Sequence, residues 1–193
     1  MDKTILTDCD GVLLDWESSF QVWISRQGYC YQDRYANHPD LAQRLGVDYA
    51  EADKLIQRFN SSADFEKLEA WRDSVTVVRR LKRRGWKFVV ITTAGLHPWT
   101  HGLRKNNLGR VFGPGIIDEL HVLELHGNKG TKLADYQDSG LYWIEDKPSN
   151  AELGFDYGLK PLLMSTSSNS HYRSGKVPRV KNWADIESII NGN

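Results

Sequence analysis

The chain has 193 residues, of which 40% are hydrophobic and 26% charged, and this composition is typical of a globular domain. Its 25 basic and 25 acidic side chains give a formal net charge of zero, which argues against extended nucleic-acid binding or attachment to a membrane surface. Two cysteines, no apolar run of the ~20 residues that span a bilayer and no signal-peptide pattern predict a cytoplasmic protein without a disulfide framework.

The first predicted strand, residues 4–8, leads directly into a pair of carboxylates. Asp8 and Asp10 stand between this β-prone run and a second apolar run, residues 12–14. Carboxylates are rarely buried without a charged partner or a metal ion, so the position predicts such a partner elsewhere in the chain. The alternative is an ordinary turn, in which aspartate is common.

Residues 16–72 contain no convincing strand and are helical and aromatic in character. A connection of this length far exceeds the ~2 to 6 residues that usually join a strand to a helix. The sequence therefore predicts a helical insertion after the first strand. The insertion carries seven aromatic residues of interest: Trp23, Tyr29, Tyr31, Tyr35, Phe59, Phe65 and Trp71. Most of these side chains are expected to pack the inserted helices against one another.

After the insertion, apolar β-prone runs alternate with helical patterns. The predicted strands are 87–95, 119–123, 140–146 and 160–166, and the predicted helices are 73–85, 97–109, 130–140 and 182–192. The last helix is expected to point four residues inward, Trp183, Ile186, Ile189 and Ile190, and residues 165–176 are expected to form an exposed loop. This alternation predicts an α/β fold with a mostly parallel sheet.

Polar side chains stand at or just after the ends of four of the predicted strands, and such strand ends meet at one edge of a parallel sheet. They are Asp8 with Asp10, Thr92 with Thr93, Lys129 with Lys132, and Glu145 with Asp146. Clustered carboxylates favour Mg²⁺, while lysine and threonine donate hydrogen bonds to phosphate oxygens, so the set predicts metal-assisted phosphoryl transfer. Lys129 and Lys132 compete for one role, and Lys129 is preferred because Lys132 falls deeper within a short helix. Asp146 has the alternative role of capping the helix that follows it.

These residues resemble the motifs of the haloacid dehalogenase-like superfamily. "TDCDGVLLD" is similar to its DxDGxxxD opening, and Thr92 in "VVIT", Lys129 and the acidic "IEDKPSN" resemble its second, third and fourth motifs in order. Within the superfamily, "ITTA", "IEDKPSN" and "VPRVKNWADIESII" look like the 5′(3′)-deoxyribonucleotidase-type phosphatases. The resemblance implies a Rossmann-like three-layer core with a mostly parallel sheet, residues 1–15 and 73–193, and an inserted α-helical cap, residues 16–72.

The resemblance also implies a role for each matching residue. Asp8 would be the nucleophile that forms an aspartyl-phosphate, and Asp10 would protonate the leaving group and then activate water. The phosphate would be bound by three side chains, Thr92, Thr93 and Lys129. Mg²⁺ would be the cofactor, held by Asp8, the backbone carbonyl of Asp10 and Asp146. Glu145 stands where an aspartate often precedes the metal ligand.

The expected activity is that of a Mg²⁺-dependent phosphoric monoester hydrolase acting on a small-molecule phosphomonoester. A nucleoside monophosphate is the first candidate substrate, and one or two aromatic residues of the insertion are candidates to stack on its base. A sugar phosphate or a nucleic-acid terminus is the alternative substrate. The alternative from another class of protein is a non-catalytic module that binds phosphate and Mg²⁺.

Overall fold

The computed structural model describes residues 3–173 and 175–192, and the strands of this part form one parallel sheet. In chain order the strands are β1 (Thr4–Thr7), β2 (Lys87–Thr93), β3 (Glu119–Leu123), β4 (Tyr142–Glu145), β5 (Lys160–Met164) and β6 (Arg179–Val180). They pair in the order β3-β2-β1-β4-β5-β6, and every pair is parallel. The predicted α/β class with a parallel sheet is confirmed.

Helices cover both faces of this sheet. Those of the described residues are α1 (Trp16–Ser25), α2 (Leu41–Leu45), α3 (Tyr49–Asn60), α4 (Ser74–Arg83), α5 (Pro98–Phe112), α6 (Gly130–Leu133), α7 (Pro148–Asp156) and α8 (Trp183–Ile190). Apolar residues of α4, α5 and α8 pack with Phe88 and Val90 on one face. Those of α6 and α7 pack with Leu6 and Trp143 on the other, which gives the three layers of a Rossmann-like fold.

The strand β1 lies at the centre of the sheet, and all four of its residues are buried. Helices cover a central parallel strand on both faces. It pairs with β2 on one side and with β4 on the other. The Asp8 amide extends this pairing by donating to the carbonyl oxygen of Ile144 at 2.8 Å. The carboxyl ends of β1, β2 and β4 therefore meet at one edge of the sheet.

Helices α1 to α3 follow β1 and pack around an aromatic cluster. The rings of Phe20, Trp23, Phe59 and Phe65 lie 5.4 to 6.0 Å apart between centroids. Packing of the inserted helices is thus the role of Trp23, Phe59 and Phe65, as predicted. Each helix begins at an aspartate whose carboxylate accepts a hydrogen bond from an amide of the first turn: Asp15, Asp40 and Asp48.

A buried asparagine at the end of α3 joins these helices to the edge of the sheet. The Oδ1 atom of Asn60 accepts a hydrogen bond from Nε1 of Trp16 at 2.9 Å, and its Nδ2 donates to the carbonyl oxygen of Ala94 at 3.0 Å. Its own carbonyl oxygen accepts from Oγ1 of Thr100 at 3.3 Å. Asn60 thus links α1, α3, the loop after β2 and α5.

Several details differ from the sequence expectations. The prediction that Ile189 points inward is wrong, because Trp183 and Ile186 fill the buried side of α8 and Ile189 is exposed. The strand predicted over 160–166 ends at Met164, and the helix predicted over 130–140 divides into α6 and a 3-10 turn, Ala134–Tyr136.

The loop predicted over 165–176 is exposed only in part. Asn169 is buried within it, and Ser174 lies outside the described residues. The strand β6 was not predicted, because a strand of two residues leaves no periodic pattern. Within the described ranges, no helix has both the length and the apolar character that crossing a bilayer requires.

Candidate active site

The turn after β1 brings carboxylates to the edge of the sheet. Asp8 is buried at the end of the strand, and its Oδ1 accepts a hydrogen bond from the Cys9 amide at 2.7 Å. The carbonyl oxygen of Cys9 accepts in turn from the amide of Leu14 at 2.9 Å, which closes the turn. Gly11 has a φ of 72°, and a Cβ there would lie 2.6 Å from Oδ2 of Asp146. Glycine therefore lets the turn approach the end of β4.

A buried lysine lies between two of the carboxylates. The Nζ atom of Lys129 is 2.8 Å from Oδ2 of Asp8 and 2.8 Å from Oε2 of Glu145, and its side chain is only 1% exposed. The competing candidate, Lys132, is directed away and pairs with Asp135 at the surface. Of the two lysines, the structure thus places Lys129 beside Asp8.

The pKa values of the three acids differ because their surroundings differ. Burial raises the pKa of Asp8 to about 7, with a further increase from the negative charge of Glu145 that the cation of Lys129 offsets only in part. For Glu145, burial also disfavours the charged form, but Lys129 and three hydrogen bonds outweigh it and lower the pKa to about 2. Burial and the charges of Glu145 and Asp8 raise the pKa of Asp146.

The donor set of the site suits a divalent cation. Asp8, Glu145 and Asp146 each bring one carboxylate oxygen within 4.8 Å of the others. Oxygen ligands at this spacing match the preference of Mg²⁺, and the glycine at position 11 keeps the space beside Asp146 clear. Because the Oε1 atom of Glu145 accepts hydrogen bonds from the amides of Asp146 and Lys147, both at 3.0 Å, this side chain also shapes the loop. The residues present therefore fit Mg²⁺.

A cavity of about 900 Å³ opens above this edge of the sheet. Its inner wall carries five of the six predicted site residues, namely Asp8, Asp10, Thr92, Thr93 and Asp146. Lys129 does not line the cavity, but its Nζ contacts Asp8, which does. The opposite wall comes from the inserted helices and includes Trp16, Arg44, Tyr49, Asp53 and Trp71.

The side chain of Asp10 has a partner that the sequence analysis missed. Its Oδ2 atom lies 2.6 Å from Nη2 of Arg104, a residue of α5 whose side chain is fully buried. A signal was present, because Thr100, Arg104, Leu108 and Phe112 follow one another at four-residue intervals and share the buried side of α5. An arginine on such a side requires a carboxylate nearby.

Asn169 is a second residue of the site region that the sequence analysis missed. Its Nδ2 donates to the carbonyl oxygens of Asp146 and Met164, at 2.7 and 2.8 Å, and its Oδ1 accepts from Arg179 at 2.6 Å. It thereby attaches the loop after β5 to the backbone of a candidate metal ligand. The surrounding "STSSNSHYRSGK" has no periodicity from which this contact could be inferred.

The raised pKa of Asp8 predicts a pH-dependent stability of the metal-free protein. Between pH of about 4, where the carboxyl ionises in the unfolded chain, and about 7, the folded state holds more protons than the unfolded state. This group therefore stabilises the fold fully below about pH 4, and that stabilisation is lost as the pH rises to about 7 and beyond. Asp146 acts in the same direction.

Thermal unfolding measures this effect. In excess chelator, we expect the Tm of the wild-type protein to fall, relative to that of Asp8→Asn, between pH 5 and 8 as rough limits. Mg²⁺ is expected to raise the Tm more at the upper limit, because a cation competes there with fewer bound protons. An equal Mg²⁺ shift at both limits would contradict the assignment of the cation to these acids.

Comparison with known proteins gives remote likenesses over nearly the whole chain, and no family model matches it. A 32.4 kDa protein of Enterobacteria phage T4, from the Gp30-rIII intergenic region, is 25% identical over 98% of this chain and 70% of its own length. The pyrophosphatase PpaX of Bacillus mycoides is 22% identical over 98% of this chain and 99% of its own.

Solved structures share the architecture. A HAD family hydrolase from Deinococcus radiodurans, with bound phosphate and sodium, superposes with a TM-score of 0.66 at 17% identity, covering 99% of this chain and 96% of its own. CbbY from Rhodobacter sphaeroides, in complex with phosphate, gives a TM-score of 0.65 at 15% identity and 96% coverage of each chain. At these identities the likeness concerns the fold.

Proposed function

We propose that this chain, which has the fold of the haloacid dehalogenase-like hydrolases, is a Mg²⁺-dependent phosphomonoesterase that acts through an aspartyl-phosphate. The observation that carries the proposal is the position of Asp8. Its carboxylate lies at the carboxyl end of the central strand, 2.8 Å from a buried lysine and within 4.8 Å of two further carboxylates. The phosphate bound to the compared structures supports the same reaction class.

In the proposed reaction, a carboxylate oxygen of Asp8 forms a bond to phosphorus while the bond between phosphorus and the ester oxygen breaks. Asp10 gives its proton to the departing oxygen and later takes a proton from the water that attacks the aspartyl-phosphate. This attack breaks the bond between phosphorus and Asp8 and returns the free carboxylate. The phosphate oxygens accept hydrogen bonds from Thr92 and Thr93 in the cavity wall, while Lys129, which lies behind Asp8, contributes its positive charge.

Mg²⁺ would be held by Asp8, Asp146 and the backbone carbonyl of Asp10, beside Glu145, whose carboxylate oxygens are already bound to Lys129 and to the backbone of the loop. When bound, the ion supplies positive charge where the acids and the phosphate group meet. Lys129 supplies part of that charge within the protein itself. Residues 16–72 would act as a cap whose closure excludes bulk water from the reacting groups.

For the substrate, we propose a nucleoside monophosphate. The cavity of about 900 Å³ is at the upper end of the range for small-molecule sites and accommodates a base and a sugar beyond the phosphate. Trp16 and Trp71 are half-buried in its wall, and Tyr49 is exposed beside them, so aromatic faces are present for stacking on a base. Among the seven aromatic residues of the insertion that the sequence singled out, Trp71 lines this cavity in the described part of the chain.

A substrate screen tests this proposal. We expect kcat/KM for deoxyribonucleoside or ribonucleoside monophosphates to exceed that for sugar phosphates by about tenfold or more, because only the former gain base stacking of roughly 1 to 3 kcal/mol. Excess chelator should abolish turnover of every substrate.

Two further compounds separate the alternatives in the same screen. Faster cleavage of a 5′-phosphorylated oligonucleotide would favour a nucleic-acid terminus, and faster cleavage of inorganic pyrophosphate would favour the reaction named for the PpaX relative. If no compound is hydrolysed although phosphate binds in the presence of Mg²⁺, the protein is a binding module and the proposal is wrong.

A further inference from the structure

We propose that Arg104 positions Asp10 for proton transfer, an inference that rests on the proposed function of Asp10. Arg104 lies near the middle of α5, the helix that follows β2, and its side chain is 0% exposed. Its Nη2 atom donates a hydrogen bond to Oδ2 of Asp10 at 2.6 Å, the short separation of a charge-assisted pair. The two residues are 94 positions apart in the chain, so the contact depends on the complete fold.

The rest of the guanidinium meets the segment that returns from the inserted helices. Its central carbon lies 4.1 Å from the centroid of the Phe65 ring, in the 3-10 turn Phe65–Lys67, which is a cation–π contact. Nε and Nη1 are also buried and have no hydrogen-bond partner among residues 3–173 and 175–192. The side chain of Asp10 is therefore the hydrogen-bond partner of the Arg104 guanidinium among the described residues.

This arrangement is a poor way to stabilise a fold. Removing a guanidinium from water is costly, one ion pair often fails to offset that cost, and an apolar side chain of similar size would pack against Phe65 without it. Arginine instead fixes the orientation of the Asp10 side chain. It engages Oδ2 of Asp10, while the other oxygen, Oδ1, is buried and makes no hydrogen bond within the described part of the chain.

The orientation of Asp10 matters because an acid or base transfers a proton only within hydrogen-bond reach of the reacting oxygen. Asp10 lines the cavity and keeps 24% of its side chain exposed, so rotation about its side-chain bonds is the freedom that Arg104 removes. With Oδ2 held by Arg104, the carboxyl group keeps one orientation at the cavity wall, in which Oδ1 is buried and has no hydrogen-bond partner among the described residues. Arg104 is thus a positioning residue that acts through Asp10.

The experiment compares two leaving groups in Arg104→Met, which removes the charge but keeps a long side chain against Phe65. An alkyl phosphate releases an alkoxide that needs a proton, whereas p-nitrophenyl phosphate releases a stable phenolate that does not. We expect kcat/KM for the alkyl ester to fall roughly tenfold or more and kcat/KM for the aryl ester to change little. The aryl-to-alkyl ratio then rises by the same factor.

Three further variants serve as controls. Arg110→Met alters the same helix and removes a hydrogen bond to the carbonyl oxygen of Leu68 at 2.6 Å, without contact to Asp10, so its ratio should equal that of the wild type. Arg104→Lys keeps a cation and should recover part of kcat/KM for the alkyl ester. If the methionine variant does not fold, the lysine variant takes its place in the comparison. In an Asp10→Asn background, Arg104→Met should cause no further loss.

The outcomes separate this inference from the proposed function. Arg104 is only structural, and the inference is wrong, if Arg104→Met lowers kcat/KM for both esters by the same factor. The same holds if its effect on kcat/KM adds fully to that of Asp10→Asn. In that case the proposed function stands as long as the wild type hydrolyses both esters with Mg²⁺. A wild type that hydrolyses neither these esters nor any phosphomonoester of the substrate screen refutes the proposed function, and the inference with it.

Discussion

Replacing Asp8 with asparagine is expected to lower kcat by on the order of 10⁴-fold or more, because the amide cannot form the covalent bond to phosphorus. The variant should remain folded, since asparagine has nearly the same volume and the site loses a buried negative charge. In chelator at pH of about 8, its Tm should equal or exceed that of the wild type, whose Asp8 carboxylate is ionised there at a cost to stability. Steady-state kinetics and thermal unfolding measure the two effects.

A matched control for this variant is Asp48→Asn. Asp48 begins α3, and its Oδ1 accepts a hydrogen bond from the Glu51 amide at 2.8 Å. Asparagine serves in this position as well as aspartate does, so the same chemical change should leave both activity and Tm unchanged. Near-normal turnover by Asp8→Asn would show that another group attacks phosphorus.

Replacing Lys129 with methionine is expected to impair both stability and activity. Nζ of Lys129 is the cation within 2.8 Å of both Asp8 and Glu145, and its removal leaves two buried carboxylates facing each other. Breaking a buried charge network in this way costs about 3 to 5 kcal/mol of unfolding free energy. The loss should be smaller at low pH, because protonation of Asp8 relieves the repulsion.

The comparison for Lys129 is Lys132→Met, three residues further along the chain. Lys132 is 36% exposed and pairs with Asp135 at 3.1 Å, and a surface pair of this kind contributes about 0 to 1 kcal/mol. Denaturant unfolding, with kcat measured in parallel, distinguishes the two variants. Equal effects of the two substitutions would mean that the buried network around Lys129 does not hold the site together.

The strands β1 to β5, and the edge of the sheet at which the candidate site residues lie, could be predicted because both depend on local pattern. The apolar runs within β2 and β4 do not alternate with polar residues, β1 is a short β-prone run, and the acids and threonines stand at or just after the ends of these strands. In a parallel sheet, the place of a side chain at a strand end already determines which edge it occupies. No knowledge of distant contacts is needed for that step.

The parts that could not be predicted depend on contacts between distant segments. Nothing near Asp10 in the sequence indicates that Arg104 will meet it, because the approach of α5 to the turn after β1 is set by packing. The position of Glu145 at a strand end is predictable, but its contact with Lys129 and its hold on the loop that carries Asp146 are not. Ile189 was assigned by helical spacing alone, which does not say how wide the covered side of α8 is.

Lys129 also bears on how the protein folds when no metal ion is bound. Carboxylates that lie close together repel one another unless an opposite charge lies near them. Here the polypeptide carries an ammonium group into the crowded centre as it folds. We therefore expect the sheet to form without a metal ion and the protein to keep its fold in excess chelator.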